Sequence, residues 1–154
     1  MRFDREGHAL PIDMRYRTLD GANKTGRDEQ VYMDDCFEIF LDSRGELGEY
    51  YQIAINTKGA IFDASSGADP YSSWNCVGLK VGIAKSKDSW TAEVFIPFQA
   101  VRATAVKSGS LWFGNITRSR WHKGLELSRY HTVDVPPIKT SNLNMLHFSR
   151  FVFE

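Results

Sequence analysis

What this chain lacks narrows the field first. It carries 19 basic and 19 acidic residues and no net charge. Binders of nucleic acid or of anionic membranes usually show a basic excess, so neither partner is expected. No apolar run approaches the ~18–20 residues of a membrane-spanning helix. There are two cysteines, Cys36 and Cys76, and neither has a metal-ligand spacing. Two buried thiols are expected, Cys36 acting as a small hydrophobe inside a strand; one disulfide is the alternative if the chain is secreted. The four histidines, His8, His122, His131 and His147, are scattered, not set at zinc-like intervals. Neither Gly109-Ser110 nor Gly67-Ala68 forms a nucleophile elbow. There is no helix signal of ten or more residues, no repeat and no low-complexity tract. Met1 to Glu6 is no signal peptide and reads like the middle of a strand.

What is present is dominated by one stretch, Tyr32 to Asn56. Along Cys36 to Asp42, Phe37, Ile39 and Leu41 point one way, and Cys36, Glu38 and Phe40 the other. Along Tyr51 to Asn56, Tyr51, Ile53 and Ile55 share a face, and Gln52, Ala54 and Asn56 the opposite one. Alternation of this length predicts strands with one buried face. The connector from Ser43 to Glu49 has two glycines and three charges, as a hairpin loop should. The second face carries hydrogen-bonding groups, Glu38, Gln52 and Asn56.

Elsewhere, Leu10 to Leu19 reads as a strand, and Asp20 to Gln30, with its glycines and charges, as a loop. A short strand is expected around Ile61 to Asp63, and an irregular loop from Ala64 to Ser73 that ends at Trp74. Further strands are expected over Val77 to Ala84, Trp90 to Phe98 and Leu111 to Arg118. Pro97 forces the end of its strand or an edge. Gln99 to Val106 suits a single helical turn, and Ser119 to Asn144 is a long polar segment that is functional or hides short strands. His147 to Phe153 closes the sheet. Many short strands at near-regular spacing predict one all-β domain over 1–154, a jelly-roll-like antiparallel β-sandwich. Aromatics make up 13% of residues, most of them expected in its core.

The block aromatic-x-Asp-Asp-x-aromatic-Glu-Ile-Phe-Leu-Asp at Tyr32 to Asp42 resembles the most recognisable segment of the carbohydrate-binding modules of family 9 and their DOMON-related kin. Tyr51 to Gly59, Trp90 to Phe98, Trp112 to Arg118 and Phe148 to Phe153 resemble later blocks of that family, in order. The resemblance implies an extracellular or cell-surface β-sandwich that binds oligosaccharide or polysaccharide without transforming it. It also implies that the first one or two family strands are missing, and that a catalytic domain is attached in a longer parent chain.

Sugar recognition needs flat apolar rings and fixed polar groups. Tyr32 stands six residues before Glu38, where similar modules place a stacking Trp, and Tyr130 falls where a second family aromatic would lie. Glu38, a mid-strand carboxylate, must reach solvent or find partners; in similar modules it accepts from the sugar, and the structural alternative is an ion pair with Arg118. Gln52, Asn56, Trp74, Asn115 and Arg118 complete the implied ligand set. Ala54 stands where one family site has an Arg, which departs from the family pattern. Asp34, Asp35 and Asp42 suit turn caps, with structural calcium the alternative. A glycosidase pair of Glu38 with Asp63 or Glu93 and haem ligation by Met33, Met145 or His147 are the remaining alternatives.

Overall fold

The computed structural model describes residues 9–14, 22–87, 89–103, 106–122, 125–131, 145 and 148–153, with backbone alone for 9–14, 121–122 and 125–131. Among them are nine strands: β1 (Ala9–Met14), β2 (Cys36–Asp42), β3 (Tyr51–Asn56), β4 (Ile61–Ser65), β5 (Lys80–Lys85), β6 (Trp90–Phe95), β7 (Leu111–His122), β8 (Leu125–His131) and β9 (Ser149–Val152). Two 3-10 turns, Val31–Met33 and Tyr71–Ser73, are the helical elements. The strands form two antiparallel sheets. The smaller has the order β1-β6-β5. The larger has the order β4-β3-β2-β7-β8, with β9 also on β7. The all-β antiparallel sandwich is therefore as expected.

The inner layer is the face that alternation placed together. Phe37, Ile39, Leu41, Tyr51, Ile53 and Ile55 from the large sheet pack on Trp90, Ala92, Val94 and Ile96 from the small one. Phe37 and Trp90 meet at 4.4 Å between ring centroids. β7 threads this seam at Gly114, where an added Cβ would meet the Phe151 ring and, at 2.6 Å, the Phe40 carbonyl oxygen.

Several elements differ from expectation. β4 runs through Ser65, and Tyr71–Ser73 is ordered as a turn within the segment read as a loop. The fifth strand starts at Lys80: Gly78 (φ 84°) makes a turn and leaves Val77 79% exposed. β6 stops at Phe95, ahead of Pro97, and a run of turns follows in which Ala100 N–H donates to Pro97 and Arg102 N–H to Gln99. The polar segment after Arg118 contains the end of β7 and all of β8. Residues 15–21, 132–144 and 146–147, with the strand end at Leu19 and with His147, lie outside the described residues.

The main correction concerns burial. Every residue of β2 and of β3 is buried, on both faces. The outer face of the large sheet is roofed by Val31, Tyr32 and Tyr71 from the two 3-10 turns, with Phe148 beside Phe40.

Two ionisable groups sit inside the inner layer. Arg118 is fully buried, its guanidinium 5.8 Å from the Phe37 ring, 5.7 Å from the Trp90 ring and 3.7 Å from Asp35. Asp63, also fully buried, receives Arg27 Nη2 at 2.5 Å and the Cys76 N–H at 2.8 Å. Burial raises the Asp63 carboxyl above its ordinary range, outweighing the Cys76 N–H and Arg27. As pH climbs past the unfolded value near ~4, the unfolded chain releases this proton before the native protein does. Asp63 then favours unfolding increasingly until its native form ionises too. Asn mimics the neutral form, so Asp63→Asn should gain on wild type as pH rises from about 4 toward 7. Melting temperatures of both proteins across that range check this; a difference that shrinks would show that Arg27 dominates.

Candidate functional site

Register decides which side chains share the outer face. Glu38 lies opposite Ala54 on β3 and opposite Thr117 on β7; Phe40 lies opposite Gln52 and Asn115; Cys36 lies opposite Asn56 and Ser119. On the far side of β3, Ala64 faces Gln52 and Phe62 faces Ala54. Directly opposed residues point the same way. Glu38, Gln52, Asn115, Thr117 and Ser119 therefore form one polar floor across three strands.

The floor is hydrogen-bonded. Gln52 Nε2 donates to Glu38 Oε2 at 2.8 Å, and Ser119 Oγ donates to Glu38 Oε1 at 3.2 Å. Tyr71 Oη donates to Gln52 Oε1 at 2.6 Å, which fixes the amide with its NH2 toward Glu38. Burial, then Tyr50 and Glu38, push the Tyr71 phenol up, so it stays a donor throughout the neutral range. Exposure is slight: 2% for Glu38, 6% for Gln52 and 3% for Asn115.

Half-buried tyrosines stand over this floor. Tyr32 is edge-on to Phe62 at 5.0 Å. Tyr71 lies 6.5 Å from Phe62 and 6.3 Å from Tyr50, and Tyr50 lies 6.2 Å from Phe148. The two groups of rings thus meet where Tyr71 touches Tyr50. Ala54, fully buried below them, leaves an apolar spot where a longer side chain would stand.

The structure brings together Tyr32, Glu38, Gln52 and Asn115 from the set read in the sequence. Asn56 shares the face but serves a turn: its Nδ2 donates to the Asp34 carboxylate and the Lys24 carbonyl, and its Oδ1 accepts from the Lys58 and Ala60 N–H groups. Arg118 lies opposite Phe37 in register and so belongs to the inner face; Asp35, not Glu38, is the carboxylate beside it. Trp74 packs on Tyr51, 4.7 Å between centroids, and is likewise inner. Tyr130 pairs in register with Arg118, and its side chain lies outside the described residues. Tyr50, Tyr71, Thr117 and Ser119 were missed.

The alternatives can be placed as well. Glu38 and Asp63 are on opposite faces of the large sheet, and Glu93 is on the small sheet, so no carboxylate pair forms among them. Asp34 accepts the N–H groups of Asn23 and Lys24, and Asp42 those of Arg44, Gly45 and Leu47. With Asp35 beside Arg118, all three carboxylates face donors. Among the described residues no group of three or more His, Cys, Asp or Glu is placed to hold a metal. Met33 is exposed at the surface.

Residues 8–114 match the sequence model of the family described as carbohydrate family 9 binding domain-like. No curated protein matches the chain. Among solved structures it is similar to a family 9 carbohydrate-binding module from Caldicellulosiruptor kristjanssonii in complex with cellotriose (TM-score 0.72, 13% identity, 99% of this chain and 71% of that one). A glucose complex of a family 9 module from the same organism gives a TM-score of 0.68 at 13% identity, over 96% of this chain and 72% of that one. A Bacteroides uniformis protein regarded as carbohydrate-binding gives 0.63 at 18% identity, over 96% and 74%.

Proposed function

The chain belongs to the carbohydrate family 9 binding domain-like family, and on that premise we propose that it binds carbohydrate, without transforming it, on the outer face of the large sheet. One observation carries the reading: an oriented carboxylate–amide–hydroxyl floor, Glu38, Gln52 and Ser119, lies under a cover of tyrosines. The floor offers acceptors and donors to hydroxyls, and the tyrosines offer flat apolar rings that lose little entropy on stacking. The neighbouring folds that hold cellotriose and glucose support a β-linked glucan or its end as the first ligand to try. The domain then serves as the targeting part of an extracellular carbohydrate-active protein.

Calorimetry against glucose, cellobiose and cellotriose, widened by a glycan array, tests the reading. Saturable binding without release of reducing sugar supports it. Reducing sugar released by the isolated domain would replace it with a glycosidase.

The nearly closed floor adds a condition. A sugar reaches Gln52 only when the Tyr71 hydroxyl leaves Gln52 Oε1, so Tyr71 holds a closed state that competes with ligand. Tyr71→Phe removes one hydrogen bond from that state, worth about 1 kcal/mol. Apparent affinity should rise about fivefold, while the melting temperature falls by roughly 2–4 °C. An affinity that falls instead would make the hydroxyl a direct ligand contact.

A further inference from the structure

The polar floor contains one group with no role so far. Thr117 is fully buried in β7, directly opposite Glu38 on β2. Its neighbour on the same face, Ser119, bonds Glu38 Oε1. Thr117 Oγ1 has no hydrogen-bond partner among the described residues. A buried hydroxyl left unpaired opposes folding, and a valine of the same shape would avoid that cost.

We infer that Thr117 is a ligand contact, which takes one hydroxyl of a sugar while Glu38 takes the adjacent one, so that the site reads a neighbouring pair of hydroxyls. The inference rests on the sugar-binding reading above. Opposed residues on antiparallel strands have Cβ atoms about 4.5–5.5 Å apart, a spacing that two adjacent ring hydroxyls can span. The chemistry is complementary. Glu38, when ionised, only accepts, whereas Thr117 both donates and accepts, so each of two hydroxyls finds a partner.

Thr117→Val and Thr117→Ser, measured with wild type by calorimetry against cellobiose and the monodeoxyglucoses, test this. Valine should weaken cellobiose binding about fivefold and leave the melting temperature equal or higher. Serine should restore the affinity. One monodeoxyglucose should bind wild type and Thr117→Val equally. Wild-type affinity in the valine variant would overturn the role of Thr117 while leaving sugar binding in place. A melting temperature several degrees lower would show that the hydroxyl serves the fold and would also overturn it. Failure of wild type to bind any sugar would remove the sugar-binding reading and this inference with it.

Discussion

Replacing Arg118 with alanine should lower the melting temperature by about 10 °C or more. The guanidinium is sealed between the Phe37 and Trp90 rings at the seam of the two sheets. Truncation removes both ring contacts and opens a cavity in the inner layer. It also leaves Asp35, 3% exposed, without the cation at 3.7 Å. Removing one partner of a buried ion pair costs about 3–5 kcal/mol, and in a domain of this size each kcal/mol shifts melting by roughly 2–4 °C. Arg118→Met refills most of the volume but still removes the cation beside Asp35, so it should fall between alanine and wild type. The double change Arg118→Met with Asp35→Asn should recover part of the loss. Calorimetric melting of the four proteins checks this; an alanine variant within 2–3 °C of wild type would show that the pair contributes little.

Glu38→Gln should weaken sugar binding tenfold or more while changing melting by only a few degrees. Hydroxyls bond a carboxylate more strongly than an amide, by roughly 1–2 kcal/mol, which is about a tenfold change in affinity. The fold tolerates the change because the new amide keeps both neighbours. Its oxygen still accepts from Gln52 Nε2, and its NH2 turns to the Ser119 hydroxyl. Titration calorimetry and thermal melting on the one variant separate the two roles. Intact binding with a large drop in melting would remove Glu38 from the site.

Much of this was legible in the sequence. The β2–β3 hairpin was readable because its alternation is uninterrupted and its loop is rich in glycine and charge. Parity within a strand is also local information, and it was not fully used. Asn115 and Arg118 are three apart, so a strand must place them on opposite faces, and the same count puts Thr117 and Ser119 beside Asn115. An ion pair of Glu38 with Arg118 was excluded once Asn115 was put on the face of Glu38. Other features had no local signal. The second face of β2 is buried by Val31, Tyr32, Tyr71 and Phe148, which lie in separate turns and at the far end of the chain. Tyr71 reaches Gln52 from a turn between two glycine- and serine-rich segments, where side-chain direction follows from no period.

The two ladders on β2 differ greatly in sequence distance. The ladder with β3 closes through an eight-residue span, 43–50, whereas the bond from Ser119 to Glu38 joins residues 81 apart. Contacts that far apart must overcome the entropy of a long loop before they stabilise anything, which slows folding. Two of the five floor residues, Glu38 and Gln52, can assemble in a local hairpin; Asn115, Thr117 and Ser119 arrive only when β7 docks. Completion of the floor is thus tied to a long-range step. A nascent chain that has emerged only as far as β6 carries the hairpin without the residues that complete its floor.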